Sequence, residues 1–243
     1  MIFHFKQKSI ENIQLNIKIQ DIAIEKVSDF CFLGLTINEN LNWKSHLNKV
    51  SNKISRTLGV MNRLKHFLTT DTLRTIYNSL ILPHLNYCIL VWGFECKRIQ
   101  KIQKKCVRVI TASKFNSHSE PLFKALNLLK VEDIFKSQSL KFYHKHVNDK
   151  LPSYFSDMFI SNSSVHNYRT RQHNLIHVPP ARTSQARHCV RHLIPNLLSE
   201  IPPRISEKFH THSSQGFSTY VKGYYLGKYE ADCNIQNCYI CQH

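Results

Sequence analysis

The amino-acid sequence predicts a mainly α protein with a small N-terminal antiparallel β-piece, α+β overall. Three observations carry this. A three-to-four spacing of apolar residues runs from Leu41 to Leu68. A second amphipathic segment covers 95–112, and strict apolar–polar alternation is confined to the first 37 residues.

In the first 37 residues, IQLNIKIQ alternates, and AIEKV and FCFLGLTI are short β-rich runs. They predict three or four antiparallel strands with Gly34 at a bulge or a tight approach. The opening MIFHF reads as a strand that needs a neighbour, and its natural partner strand is expected to be missing. From Leu41 to Leu68, Trp43, Leu47, Val50, Ile54, Leu58, Met61, Leu64 and Leu68 define the inner face of a long helix. Lys49, Lys53, Arg56 and Arg63 fall within about 80° of one another and are expected on the opposite face.

Thr69-Thr70-Asp71 is an N-cap cluster, opening a helix with Leu73, Ile76, Tyr77, Leu80 and Ile81 inward. Pro83 is expected to end or kink it. The following HLNYCILVW is apolar enough for a bundle centre, and Gly93 after Trp92 reads as a C′ glycine. His84 and Cys88, four apart, have a metal-like spacing, but two ligands are not a site, and a core histidine with a buried thiol is the simpler reading. In the next helix Ile99, Ile102, Cys106, Val109 and Ile110 form the apolar stripe, and Lys97, Lys101, Lys104, Lys105 and Arg108 the basic one.

Beyond Lys114, Ser119-Glu120-Pro121 caps a short helix ending near Leu129, with Leu122, Phe123, Leu126 and Leu129 inward. A helix over 131–148 places Ile134, Phe135, Phe142, Tyr143 and Val147 on its core side. Residues 161–191, with Pro179-Pro180 and five arginines, read as a loop or arm. A docked segment follows at 193–198, and a last helix at 217–229.

The chain carries 33 Lys+Arg against 16 Asp+Glu, a formal net charge of +17. Residues 1–40 hold four bases and five acids, 41–113 thirteen and two, and 114–243 sixteen and nine. The net charge is thus −1, +11 and +7 in turn, which concentrates the excess on the two basic helices. Like charges four apart repel by a few tenths of a kcal/mol each, and a phosphate backbone offsets that repulsion. A solvated helix face is the competing reading, although such faces usually mix both signs. The 42% hydrophobic and 11% aromatic content excludes a disordered basic tail. The most apolar stretch, 79–92, is interrupted by Pro83, His84 and Asn86, too polar to span a bilayer, and no secretory signal is visible. An intracellular protein with no membrane partner is expected.

Nucleotide polymerisation needs carboxylates converging on paired Mg²⁺. The sixteen acids are scattered, with no Asp-Asp pair, and Glu132-Asp133 simply opens a helix. There is no Walker loop, GxGxxG, GxSxG or HExxH, and six glycines leave little for phosphate-cradling loops. No catalytic residue, required cofactor or small-molecule substrate is assigned. The C-terminal CNIQNCYICQH supplies Cys233, Cys238, Cys241 and His243, a soft ligand set suited to tetrahedral Zn²⁺, against a reading as free thiols at a frayed end.

The runs FCFLGLTINENLNWKSHLNKVSNKISRTLGVMNRLKHFL, LRTIYNSLILPHLNYCILVWG and IQKIQKKCVRVIT resemble the region after the catalytic palm in non-LTR (LINE-type, Jockey-like) retrotransposon reverse transcriptases. The likeness lies in an FLG strand leading to a W-x-x-H helix, and in the PHL-x-Y-x-x-x-VWG segment. EPLFKALNLLKVEDI, LPSYF and HNYRTRQ resemble the family's C-terminal extension, and MIFH its last palm strands. The likeness spans about residues 1–230, more specific in the first half.

The resemblance implies RNA-directed DNA synthesis in the parent enzyme, with Mg²⁺ held by aspartates that no position here matches. It implies a division into a palm remnant (1–40), a basic thumb-like bundle (41–113), a helical extension (114–160), a loop or arm (161–192) and a Cys-rich C-terminal segment (193–243). What carries over is the thumb's grip on a template–primer duplex, with Lys49, Lys53, Arg56, Arg63, Lys97, Lys101, Lys104, Lys105 and Arg108 standing where it would form. The chain as it stands is then expected not to polymerise but to bind an RNA–DNA hybrid or structured RNA without sequence preference. The alternative is a small zinc-dependent nucleic-acid or protein-interaction module.

Overall fold

The computed structural model of the protein describes residues 1, 3, 17–165 and 167–230. The strand expected at 1–5 falls outside these but for Met1 and Phe3, and so do Cys233, Cys238, Cys241 and His243. The architecture is mainly α with a small β-piece. In place of one sheet of three or four strands, the described residues form two separate antiparallel hairpins. One joins β1 (Lys18–Ile19) to β2 (Ile22–Ala23), and the other joins β3 (Asp29–Phe32) to β4 (Leu35–Asn38). FCFLGLTI is therefore the tip of a hairpin. Gly34 sits in its two-residue turn, with φ of 46° at Leu33 and 81° at Gly34. Positive φ at both central positions is what a primed hairpin turn needs, so the glycine serves a turn and not a bulge.

Helix α1 (Lys44–Leu64) follows the predicted periodicity in burying Leu47, Val50, Ile54 and Met61, while Leu58 is half-buried and Leu64, expected inward, is exposed at the helix end. The Thr69 hydroxyl then accepts the Thr72 N–H at 3.3 Å and opens α2 (Thr70–Ile76). The chain continues through a π-helical turn, Tyr77–Ile81, into α3 (Leu82–Asn86). Pro83 lies in the first turn of α3, so it neither ends the helix nor needs a sharp bend, because the wider π turn precedes it. The same turn changes the helical phase. Tyr77 and Ile81 stay buried, whereas Leu80, expected inward, is exposed.

Left-handed Cys88 breaks the run before α4 (Ile89–Trp92), which passes through a 3₁₀ turn, Gly93–Glu95, into α5 (Lys97–Ile110). This break removes the helical i,i+4 relation between His84 and Cys88. Of HLNYCILVW, only Leu85, Ile89 and Trp92 are buried. Gly93 has φ −62° and is not a left-handed cap. A Cβ there would lie 2.5 Å from Cδ2 of Phe135 and 2.8 Å from Cγ1 of Ile89, so the position needs glycine for close packing.

Helices α6 (Ser119–Ala125) and α7 (Val131–Val147) follow. Ser119 lies inside α6; His118 stands at its N-cap and gives no side-chain cap bond. The segment read as a loop or arm carries local order. It contains α8 (Asn162–Val165), a bridge between Ser161 and Ile176, and α9 (Ser184–Arg187), capped by Thr183. The last elements are α10 (Val190–Glu200), α11 (Pro203–Ser206), α12 (Lys208–Thr211) and α13 (Ser214–Gly227).

Two buried clusters meet along α7. Its first half, with Val131, Ile134 and Phe135, joins the core of α1–α6. Leu140, flanked by Tyr143 and Val147, joins the core built by α10–α13. Being covered on several sides, α7 also buries Ser137, Ser139 and His144, while Phe142, Tyr143 and Val147 are only half-buried. His144 Nε2 pairs with the carbonyl of His212 at 3.0 Å, and its ring stacks on Phe217.

Gln103 is the buried polar residue that joins these parts. Its Nε2 donates to the Tyr77 hydroxyl at 2.8 Å and to the Leu129 carbonyl at 2.9 Å, and its Oε1 accepts the Val131 N–H at 2.8 Å. Replacing it by leucine takes the partner from two buried groups, the Tyr77 hydroxyl and the Val131 N–H, and from the partly buried Leu129 carbonyl. Gln103→Leu is expected to lower the unfolding free energy by at least about 2 kcal/mol. Denaturant titration measures this, and a loss under about 0.5 kcal/mol contradicts the assigned role.

Candidate nucleic-acid interface

The residues that set the basic helices in place are those of the W-x-x-H and PHL…VWG motifs. The Thr36 N–H of β4 donates to Nδ1 of His46 at 3.4 Å. The His46 ring lies 6.2 Å from Trp43, edge-on, and 5.9 Å from Trp92. Trp92 Nε1 donates to the Tyr87 carbonyl at 2.9 Å, and the Tyr87 hydroxyl donates to the carbonyl of Leu33 in the hairpin turn. Strand, long helix and VWG segment are thus locked together by a histidine between two indoles. This leaves the polar surface of α1 free.

Helices α1 and α5 pack against one another. Lys49, Lys53, Arg56 and Arg63 are all exposed on α1. They lie on the side of α1 turned away from its buried residues, toward one flank. Asn48 lies on the other flank and accepts a hydrogen bond from Arg98 at the start of α5. On the basic flank, the charge of Lys53 reaches His84 of α3. In α5, Lys97, Lys101 and Lys105 are exposed and Lys104 half-buried, turned away from buried Ile99, Gln103, Cys106, Val107 and Ile110. Gln103 and Val107 were not part of the predicted stripe, and Ile102 and Val109 are only half-buried.

Arg108 differs from the other cations. Its Nε and Nη2 both donate to the Ser117 carbonyl, at 2.9 and 2.7 Å, so its guanidinium fastens the loop between α5 and α6. Among the described residues, no carboxylate comes within ion-pair distance of Lys49, Lys53, Arg56, Arg63, Lys97, Lys101, Lys104 or Lys105. Ion pairs form elsewhere, as in Arg74–Asp71 and Lys136–Glu132.

The described acids do not gather: no group of three or more His, Cys, Asp or Glu is placed to hold a metal ion. Asp133, one half of the acidic pair, accepts from the Tyr229 hydroxyl. No helix among the described residues is long and apolar enough to cross a membrane.

The hairpin is docked on a bundle whose two basic helices, α1 and α5, contain no carboxylate. Over 136 residues, 53% of this chain, it is 26% identical to a probable RNA-directed DNA polymerase from transposon BS of Drosophila melanogaster. Over 139 residues, 52% of this chain, it is 23% identical to a probable RNA-directed DNA polymerase from transposon X-element of the same organism. The chain contains a region related to retrotransposon reverse transcriptases, and it spans about 15% of the length of each of these relatives. No protein-family profile matches the chain. No solved structure matches it.

The lysines of α1 also act on the junction that holds the helix. Burial first, then Lys49 and Lys53, hold His46 below the ordinary histidine value of 6.5. A lowered folded-state pKa means that the stability His46 contributes is fully present above about pH 6.5. It is lost as the pH falls from there through the folded value. The His46 resonance is expected to titrate with a midpoint below 6.5, and Lys49→Gln with Lys53→Gln to raise that midpoint; an unmoved midpoint excludes the coupling.

Proposed function

We propose that this chain is a nucleic-acid-gripping unit of reverse-transcriptase type, corresponding to the thumb and flanking segments of such an enzyme. It holds the backbone of an RNA–DNA hybrid or structured RNA without reading sequence. Lys49, Lys53, Arg56 and Arg63 of α1 and Lys97, Lys101, Lys104 and Lys105 of α5 contact phosphates. Arg108 contributes through the loop it anchors. The observation that carries this reading is that these lysines and arginines of α1 and α5, exposed except for half-buried Lys104 and Arg108, stand on two packed helices with no described carboxylate within ion-pair distance. The relationship to RNA-directed DNA polymerases supports the choice of ligand.

In this reading the chain carries no polymerase chemistry of its own, since its acids form no Asp-Asp pair and no assembled carboxylate site is described. Backbone gripping makes affinity fall linearly with salt on logarithmic axes, by about 0.9 in slope for each phosphate neutralised. For an RNA–DNA hybrid, Lys53→Glu with Arg56→Glu is expected to reduce that slope by about 2. Hybrids of different sequence should weaken alike. Affinity that ignores salt, or a double variant that binds like the unaltered chain, overturns the assignment.

A further inference from the structure

A second cationic feature lies on another side of the first core. A cavity of about 330 Å³ opens between α2, the π-helical turn, α3, α7 and α13. Three cations from three separate elements line it: Arg74 of α2, Lys141 of α7 and Lys222 of α13. No carboxylate is among the described residues that line it. Arg74 does meet Asp71 at 3.3 Å, but that carboxylate is largely solvent-exposed and stands outside the cavity.

The cations act on one another. Lys141 is held below the ordinary lysine range by burial and by the charge of Lys222, and Lys222 by burial and the charge of Arg74. Such an arrangement is unfavourable until an anion enters. An independent observation points the same way. Ser137 also lines the cavity; it is 2% exposed, and its buried Oγ has no hydrogen-bond partner. An orphaned hydroxyl of this kind costs stability unless a ligand satisfies it. The side-chain amides of Asn78, Asn86 and Gln138 complete the polar lining.

We propose that this cavity binds a phosphate ester no larger than one nucleotide, its phosphoryl oxygens held by Arg74, Lys141 and Lys222 with Ser137 donating a further hydrogen bond. Its volume lies at the small end for ligand pockets and admits a single nucleotide but no duplex. It takes a phosphate either free, as a mononucleotide, or at the 5′ end of a strand. The two sources share one chemistry. The site is distinct from the stripes of α1 and α5 and does not depend on their role.

Calorimetric titration of the full chain with AMP and with inorganic phosphate tests the proposal. Both are expected to bind, and Lys141→Met with Lys222→Met to weaken AMP by well over about tenfold, since charge-assisted bonds are lost. Ser137→Ala should weaken AMP severalfold. The double methionine variant removes unfavourable like charges, so its unfolding midpoint without ligand should not fall, which separates lost binding from lost folding. Competition in the Lys53→Glu, Arg56→Glu background distinguishes the sources. Displacement of AMP by a 5′-phosphorylated oligonucleotide and not by its unphosphorylated counterpart supports a strand terminus. Displacement by phosphate alone supports a free nucleotide. No binding of AMP or phosphate at millimolar concentration, or unchanged affinity in a folded double methionine variant, overturns the site, whatever the hybrid-binding result.

Discussion

Three hydrogen bonds from one buried amide hold the first core in register. Gln103 ties α5 to the π-helical turn through Tyr77, to the α6–α7 connection through Leu129, and to the first residue of α7 through Val131. The Tyr77 hydroxyl and the Val131 N–H bond to it in buried surroundings and the Leu129 carbonyl in partly buried ones, so the amide satisfies polar groups in three segments at once. Apolar surfaces of the same volume could slide past one another, whereas this set of bonds has one geometry. It fixes which side of α5 faces inward and so which side presents its lysines.

The hairpin–bundle junction applies the same logic at the other end of the structure. His46 sits between two indoles, accepts from a strand and is kept neutral by its surroundings. The motif residues Trp43, His46, Tyr87 and Trp92 are thus architectural. They hold α1 so that its cations lie on a free flank. The residues that make the sequence recognisable and those that would touch a nucleic acid are two different sets, one inside and one outside the same helix.

How much of this was legible in the sequence varied with how local the cause was. The periodicity of α1 and the Thr69 cap depend on neighbours a few residues away, and both were readable. Leu80 was misread because a π turn shifts the helical phase without any change in apolar spacing. The role of Gly93 needs Phe135, forty-two positions on, for its explanation. The inner face of α7 was only partly visible, because a helix covered from several sides has no single stripe. Arg74, Lys141 and Lys222 come from three separate elements, so that they line one cavity is a property of the fold.

Tyr229 closes the structure from the far end. Its hydroxyl accepts from the Lys130 backbone and donates to Asp133, while its carbonyl accepts from Lys124. Its ring lies beneath the Lys130 ammonium, within the first core. Helices α1 to α6 pack on one another across about fifty residues or fewer, as in the Arg98–Asn48 bond, whereas this latch must bring together groups about a hundred residues apart. Contacts of shorter sequence separation close at lower entropic cost, so the first bundle is expected to condense before α13 returns. Should the chain be made on a ribosome, the bundle can therefore begin to form before the residue that seals it has been added.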